Sequence, residues 1–427
     1  MNEVIIEDVS SEGDGIGRLE SGQVVFVKGT LPGDKVRLEL LGKKKKLQIA
    51  KVSQWLEESP DRVLSRCHDK LCGGCVLKDY SYLGQARTKL KRLHEALRRI
   101  AGVDWEQNIS LVQVGDGWNY RHRVRLHADR RGRLGFYQRN SRKLAPFKGC
   151  PVLWPELETV LRKLVSETHR LPGELGLREV ELSYSRISGR AAAFFSFEGN
   201  SNVWVPTMEW LEKIGIAGLW WSGEDTERQV GNVELLYDHQ RSNEYKLFYS
   251  PGMFTQANPA VNDRLIDHVL EIFDALNPQR TMGILELHSG VGNLSIPLAK
   301  AQHLIRVTEA NPKAVNYCRR NAQDNGLSLS IEALNDVDAM KWMAESDILL
   351  ADPPRFGMRD VCEWIVKHKY RPTIVYVSCD PGTLARDIRI LSEVGYKPCK
   401  VNAFDMFPET PHIESVVVLA VDAGESF

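Results

Sequence analysis

The chain has 427 residues, is 43% hydrophobic and 26% charged, and balances 56 Lys and Arg against 56 Asp and Glu. That length leaves room for two to four domains, each with its own core, and the composition is that of a soluble globular protein. No run approaches the roughly 18 uninterrupted apolar residues of a membrane span, and no basic stretch with an apolar core opens the sequence, so a cytoplasmic protein without a membrane partner is expected. The overall balance hides an asymmetry. Residues 1–150 hold 29 Lys and Arg against 18 Asp and Glu, which leaves 27 against 38 for the remainder. A basic half joined to an acidic half points to a polyanion partner for the first and a different task for the second.

Residues 1–56 alternate apolar and polar positions, as in Val24-Val25-Phe26-Val27 and Val36-Arg37-Leu38-Glu39-Leu40. With turns such as Leu31-Pro32-Gly33-Asp34 between them, they predict a small β-barrel. Lys43-Lys44-Lys45-Lys46 falls at a hairpin tip, where it would meet phosphate. A loop region over 57–80 carries three cysteines. A helix follows over 82–101, with Leu83, Ala86, Leu90, Leu93, Leu97 and Ile100 on one face and Arg87, Lys89, Lys91, Arg92, Arg98 and Arg99 on the other. Residues 118–250 are strand-rich. There the period of two sets Arg121, Arg123 and Arg125 along one face, which is costly to bury. With Trp118, Tyr120, Phe136 and Tyr137 interleaved, RNA is the expected partner of that face.

From 255 onward apolar strands at 284–287, 304–308, 348–351, 374–377 and 416–420 alternate with helices, the pattern of a doubly wound α/β domain. The first strand runs into His288-Ser289-Gly290-Val291-Gly292-Asn293, and Glu309 ends the second strand about twenty residues on. Glycines there let the backbone approach a ligand, and the acid suits ribose hydroxyls. The spacing fits NAD or S-adenosylmethionine. Asp352-Pro353-Pro354-Arg355 after a later strand favours the latter, because Asp-Pro-Pro marks adenosylmethionine-dependent methyltransferases acting on nucleobases.

The segment Ile374-Val375-Tyr376-Val377-Ser378-Cys379-Asp380-Pro381 reads as a buried strand ending in a thiol, and Glu414 opens the last apolar strand. Strand ends of an open α/β sheet share one crevice. Carbon 5 of uracil is a poor nucleophile, so its methylation needs a thiolate at carbon 6 and a base to remove the carbon-5 proton. Cys379 suits the first role and Glu414 the second.

Five segments together resemble the motif series of the RNA 5-methyluridine methyltransferases. They are Phe254-Thr255-Gln256-Ala257-Asn258, Leu285 through Asn293, Asp352-Pro353-Pro354-Arg355, Val377 through Asp387, and His412-Ile413-Glu414-Ser415-Val416. The similarity is greatest to the branch acting on large-subunit (23S) ribosomal RNA. It implies a TRAM-like barrel over 1–56, a central strand-rich domain over 57–254 and a Rossmann-like methyltransferase domain over 255–427. It further implies Cys379 as nucleophile and Glu414 as base. Gln256, Asn293, Glu309 and Asp352 would line the adenosylmethionine site, Phe254 would stack on a flipped uracil, and Arg355 would lie near the target base or its phosphate. Flipping is demanded because the ring faces are unreachable inside a stack.

The chain departs from that pattern in places. His288 stands where the family carries an aromatic residue, and Asp380 where asparagine is usual. A further binding residue expected near the third strand's end falls among Ala333, Asn335 and Asp336, with Asp336 taken as the cofactor contact. A transfer-RNA target is the nearest alternative, disfavoured by the barrel and the cysteines, and a non-catalytic RNA-binding or ribosome-assembly factor is the alternative from another class. A monomer is expected.

Cys67, Cys72, Cys75 and the distant Cys150 leave four thiols in the basic half. In a reducing compartment such a set favours a metal over disulfides, either zinc or iron–sulfur. The resemblance implies a [4Fe–4S] cluster, although the first gap is one residue shorter than in the ribosomal branch. Cys318, Cys362 and Cys399 are expected on helices or loops, without a role.

Overall fold

A computed structural model describes residues 2–44, 47–168, 171, 175–199, 204–224 and 227–421. Lys45, Lys46 and the side chains of Lys43 and Lys44 lie outside the described residues, so the expected basic hairpin tip does too. Five strands open the chain: β1 (Glu3–Val9), β2 (Gly15–Arg18), β3 (Val24–Val27), β4 (Lys35–Lys44) and β5 (Leu47–Glu57). They close in the order β1-β2-β3-β5-β4, with β4 pairing back onto β1. Period-two alternation drives the closure, because Val4, Ile6, Val25, Val27, Val36 and Leu38 all point inward and bury one another.

After the cysteine-bearing segment comes α1 (Tyr82–Ala96), capped by Ser81, whose hydroxyl accepts from the Gly84 N–H at 3.0 Å. A single π-helical turn, Leu97–Ala101, extends it. A short strand, β6 (Leu111–Val112), leads to β7 (Arg123–Ala128), β8 (Leu134–Tyr137) and β9 (Leu144–Pro146). Then follow α2 (Pro155–Thr168), β10 (Leu177–Ser185), β11 (Arg190–Phe197), α3 (Met208–Ile214), β12 (Gly218–Ser222) and β13 (Glu227–Gly231). These strands form one sheet in the order β13-β12-β11-β10-β7-β8-β9. Both helices cover the same face of it, where Leu157, Leu161 and Leu211 pack against Val124, Leu126 and Leu182.

A ribbon of β14 (Leu235–Leu236) and β15 (Phe248–Tyr249) precedes α4 (Pro259–Leu276). The alternation expected from the sequence then unfolds as β16 (Gly283–Leu287), α5 (Ser295–Lys300), β17 (Leu304–Glu309), α6 (Pro312–Asp324), β18 (Ser330–Ala333), α7 (Asp336–Ala339) and β19 (Ile348–Ala351). It ends with α8 (Arg359–Lys367), β20 (Thr373–Ser378), α9 (Pro381–Ser392), β21 (Tyr396–Phe404) and β22 (Glu414–Val421). The sheet order is β18-β17-β16-β19-β20-β22-β21-β6. Neighbours from β18 to β20 are parallel, whereas β22 is antiparallel to both β20 and β21. Cys399 lies within β21, at a bulge between Pro398 and Lys400, and not on a helix or loop as expected; Cys318 and Cys362 are on α6 and α8. Among the described residues no helix is long and apolar enough to cross a membrane.

Helix α1 corrects the sequence reading. Leu83, assigned to the apolar face, is 71% exposed, and Lys89, assigned to the basic face, is completely buried. Gln85, Lys89 and Arg92 recur at spacings of four and three, so they share one side of the helix. That side grips the loop between β21 and β22. The Lys89 ammonium donates to Asp405 Oδ1 at 2.6 Å and to the Phe407 carbonyl at 3.0 Å. Gln85 accepts from the Glu409 N–H at 2.9 Å and donates to its carboxylate at 3.2 Å, while Arg92 donates to the Pro411 carbonyl.

Breaking a fully buried ion pair from one side strands the other charge, at a cost of about 3–5 kcal/mol, whereas an apolar pair of similar volume is often neutral. Lys89→Met should therefore lower the thermal midpoint clearly, and Lys89→Met with Asp405→Leu should recover most of the loss. Calorimetry of both variants checks this.

Candidate active site

The ends of β16, β17, β19 and β20 open on one edge of the sheet, and the start of β22 lies on that same edge because β22 runs the other way. The β20–β22 register pairs Val377 with Val416 and Ser378 with Ser415. One step further, Cys379 faces Glu414 across the two strands. Residues so opposed have their Cβ atoms within about 5.5 Å. By the same logic the pairing of Leu287 with Ala351 brings His288 beside Asp352.

The turn after Cys379 is fixed locally. Asp380 caps α9, its Oδ1 accepting from the N–H groups of Gly382 and Thr383 at 2.9 Å each, and Thr383 donates to the Arg355 carbonyl at 3.1 Å. Asp387, fully buried, accepts from the Met358 N–H at 2.9 Å and from the Tyr376 hydroxyl at 2.8 Å, and also from Arg386. It thereby ties the Asp-Pro-Pro-Arg loop to both β20 and α9. Gly357 in that loop sits at φ +75°, and a Cβ there would come within 2.4 Å of the Asp387 carboxylate, so only glycine lets the loop close.

Phe254 and Gln256 enter the crevice from the segment before α4. Gln256 donates to Asp352 Oδ2 at 3.2 Å. Its carbonyl lies 3.0 Å from His122 Nε2 and accepts from the Tyr237 hydroxyl at 3.0 Å, so the central sheet sets its position. Burial, aided by Arg123, pushes the His122 imidazole down to about 3 and keeps it neutral. Phe254 is 60% exposed, with the Arg123 guanidinium 5.2 Å from its ring centroid.

Acids crowd the crevice. Burial pushes the Glu286 carboxyl up to about 8, with Asp352 and Glu309 adding to the rise and the nearby Ser295 hydroxyl opposing it. Asp352 goes up to about 7 through burial, opposed by His288 and Gln256. Glu414 rises well above the carboxylate range by burial and by Asp352, with Arg355 pulling the other way. The Cys379 thiol is pushed up to about 12 by burial, Glu414 and Asp352, again against Arg355. Glu286 Oε2, Ser289 Oγ and Glu414 Oε1 are buried without a hydrogen-bond partner. Unpartnered polar atoms among acids held neutral describe a crevice that favours a cationic occupant.

The remaining expected cofactor residues are placed as follows. Glu309 accepts from the Gly290 N–H at 3.0 Å and the Asn311 N–H at 2.8 Å, so it holds the glycine turn and keeps lone pairs for a hydroxyl donor. Asn293 exchanges hydrogen bonds with Asn262 of α4 at 2.8 and 3.0 Å, anchoring the turn's far end. His288, at φ +60°, sets its Nε2 3.1 Å from Asp336 Oδ1. Burial lowers the His288 pKa, but the Asp336 contact outweighs it and the net shift is upward. Of the three expected candidates, Asp336 is the one that meets His288, and Asn335 caps α7 through the Asp338 N–H at 3.0 Å.

The arginine row needs correction. Arg123 and Arg125 share the outer face of β7, but Glu181 on β10 offsets part of their charge, accepting from Arg125 at 2.9 Å and lying 3.8 Å from Arg123. Arg121 precedes β7, pairs through an isolated bridge with Leu153, and lies near Cys150, whose thiol it lowers. The three arginines therefore serve separate places.

Of the four cysteines of the basic half, Cys67 and Cys150 line one cavity, and Cys72 and Cys75 lie within electrostatic reach of them. Burial raises the thiols of Cys75 and Cys150, the latter to about 12, and each is pushed further by Cys72 and Cys67. Among the described residues no three His, Cys, Asp or Glu side chains already stand in a metal-holding arrangement, so the thiols are neighbours without a preformed cage. Just beyond Cys75, the Leu77 N–H donates to the Glu409 carbonyl at 3.0 Å, tying this segment to the loop that leads into Glu414.

Comparison with known proteins agrees with this geometry. The family model described as tRNA (Uracil-5-)-methyltransferase matches residues 232–422, and that of the TRAM domain matches residues 2–52. The chain is 33% identical to the 23S rRNA (uracil(1939)-C(5))-methyltransferase RlmD of Shewanella sp. (strain ANA-3), over 95% of this chain and 92% of that protein. To the Halomonas elongata protein of the same name it is 32% identical, over 98% and 89%. The crystal structure of the Pyrococcus abyssi tRNA (uracil-54, C5)-methyltransferase in complex with S-adenosyl-L-homocysteine superposes with a TM-score of 0.73 at 25% identity, covering 98% of this chain and 99% of that one. The chain belongs to the RNA uracil-C5 methyltransferase family. Because the archaeal tRNA enzyme is matched over nearly its whole length, the barrel does not by itself separate ribosomal from transfer-RNA targets.

Several residues that build this site escaped the sequence reading: Glu286, His122, Asp387 and Lys89. Only Glu286 left a signal, as a lone acid within the apolar strand Ile284-Leu285-Glu286-Leu287.

The half-buried Cys379 thiol reacts only as thiolate, and its upward shift leaves it protonated at neutral pH. Alkylation of Cys379 by iodoacetamide should rise about tenfold per pH unit between roughly pH 7 and 9. Asp352→Asn removes one raising charge and should speed the reaction at fixed pH. Peptide mass spectrometry of the labelled protein reads both.

Proposed function

We propose that the chain methylates carbon 5 of a uridine in 23S ribosomal RNA, with S-adenosylmethionine as methyl donor and Cys379 as covalent nucleophile. The observation that carries this reading is the opposition of Cys379 and Glu414 across β20 and β22. Relatives named for uracil 1939 of 23S rRNA, similar over almost the full chain, favour that target.

The crevice fits the methyl donor, since Glu286, Asp352 and the unpartnered Ser289 suit its cationic part and Glu309 suits a ribose. Adenosylmethionine supplies an electrophilic methyl group there. His288, held against Asp336, would contact the cofactor where the family carries an aromatic ring, and Gln256 orients Asp352. Phe254, largely exposed at the mouth, stacks on the uracil once it leaves the RNA, and Arg123 fixes the ring from behind.

The Cys379 thiolate adds to carbon 6, moving the ring's electron pair toward the carbonyl so that carbon 5 becomes nucleophilic and takes the methyl group. Arg355 lowers the Cys379 pKa and balances the charge that grows on the ring. Glu414 then removes the carbon-5 proton, the double bond reforms, and the thiolate leaves. Glu414 must shed its own proton first, and a cationic occupant beside Asp352 brings its pKa down.

We further propose that Cys67, Cys72, Cys75 and Cys150 hold a [4Fe–4S] cluster, supported by the convergence of the four thiols. The chemistry above has no redox step, so the cluster's task is to fix the segment that braces the Glu414 loop. Anaerobically purified protein should contain iron and sulfide in equal amount and absorb broadly in the visible, and Cys75→Ala should lose both. Zinc in their place would contradict this assignment.

The enzyme is tested with labelled adenosylmethionine and RNA from cells lacking the gene. Label should appear in 5-methyluridine of 23S rRNA, with Glu414→Gln slower by about 10²- to 10⁴-fold. Label confined to tRNA would overturn the target, and no label at all would overturn the activity.

A further inference from the structure

A cavity of about 1020 Å³ lies outside the crevice and serves no step above. It lies where the end of β7 and the start of β8 meet β10 and β11, and it is lined by His127, Tyr137, Arg130, Arg131, Arg142 and Arg178 among others. Arg178 is neutralised by Glu198. Arg130, Arg131 and Arg142 are exposed and have no acidic partner among the described residues. The acids that also line the cavity, Asp129, Glu179 and Glu198, lie against Arg133, His127 with Arg125, and Arg178, so among the described residues three guanidinium groups are left without an acidic partner around one concavity, and their fork geometry suits phosphate.

An aromatic platform stands beside them. The rings of His127 and Tyr137 stack with centroids 3.8 Å apart and planes 10° apart, and Tyr137 is 39% exposed. His127 Nδ1 lies 3.1 Å from the Glu179 carboxylate on its side of the stack, while Tyr137 keeps part of its ring exposed. Such a pair is a rigid stacking surface for a base.

Two routes connect this platform to the catalytic crevice. Along β7, Arg123, Arg125 and His127 occupy one face, so the platform is four residues, or about 13 Å, from the arginine that contacts Phe254. Tyr137 also lines a second groove, of about 400 Å³, whose far end is Thr410, Pro411 and His412. His412 lies within electrostatic reach of Arg355 and Asp380, two residues from Glu414.

Resting on the uridine-methylation reading, we infer that the Tyr137–His127 stack and the Arg130, Arg131 and Arg142 cluster form a docking site for single-stranded RNA flanking the target uridine. One unpaired base lies on Tyr137 and the adjoining phosphates are gripped by the three arginines. The site selects substrates in which the target has an unstacked neighbour, a requirement that the crevice alone does not impose.

The probe is a transcript of the 23S rRNA segment containing uracil 1939. Tyr137→Ala should weaken its binding roughly tenfold, while Tyr137→Trp, which keeps a larger ring, should hold it within about twofold. Replacing Arg130, Arg131 and Arg142 by alanine should flatten the slope of log affinity against log salt by about two units, since each lost single-strand phosphate contact removes about 0.7. In both weakened variants the loss should fall on KM for RNA, with adenosylmethionine affinity and thermal midpoint as in the wild type. Wild-type affinity in Tyr137→Ala together with an unchanged salt slope in the arginine variant would overturn the docking site. Binding of the transcript without methylation would instead count against the activity reading, leaving the docking site to be judged on affinity alone.

Discussion

The antiparallel placement of β22 beside β20 is the constraint on which the rest depends. In a wholly parallel sheet the crevice receives only the C-terminal ends of strands. Here β22 runs the other way, so its first residue, Glu414, arrives at the same edge as the last residues of β20. The nearly continuous apolar run Ser415 through Ala420 locks that register, because every one of those residues is buried. A one-residue slip of β22 would turn Glu414 to the opposite face from Cys379. The site's geometry is therefore a by-product of core packing, and the core strands have little freedom to change without moving it.

That arrangement has an electrostatic consequence. Glu286, Asp352 and Glu414 meet in a space whose nearby compensating groups are His288 and Arg355. Burial holds these acids toward their neutral forms and the Cys379 thiol toward its protonated form. On the proposed mechanism, a cation in the crevice would lower those pKa values and free Glu414 to act as the base. The loop feeding Glu414 is braced from outside by α1 and by the segment just past Cys75, through the buried Lys89–Asp405 pair and the Leu77–Glu409 contact. A cofactor held by the cysteines would thus stiffen the base's support without taking part in the reaction.

Much of this was legible in the sequence because it is written locally. Period-two alternation gave the barrel, and short apolar runs between helical stretches gave the strands of the catalytic sheet. Cys379 with Asp380-Pro381 and Asp352 with Pro353-Pro354 mark strand ends by composition alone. What stayed hidden depends on partners far along the chain. Lys89 reads as a surface cation until Asp405, 316 positions away, is seen beside it. Arg123 and Arg125 read as a free basic face until Glu181 on β10, within reach of both, offsets part of their charge. Gln256 reads as a cofactor contact, yet its position is set by His122 and Tyr237 from another sheet. The barrel was over-read in the opposite sense, since a TRAM-like start is compatible with a tRNA enzyme as well as a ribosomal one.

The most direct test of the account is a covalent trap. RNA carrying 5-fluorouridine at the target position accepts the thiolate and the methyl group, but fluorine in place of the carbon-5 proton prevents elimination. Wild-type protein with adenosylmethionine should form a complex stable to denaturation, joined through Cys379 by peptide mass spectrometry, and Cys379→Ala should form none. An RNA that is methylated when it carries uridine but gives no adduct with the fluorinated base, or an adduct through a different residue, would contradict the opposition of Cys379 and Glu414 as the working centre.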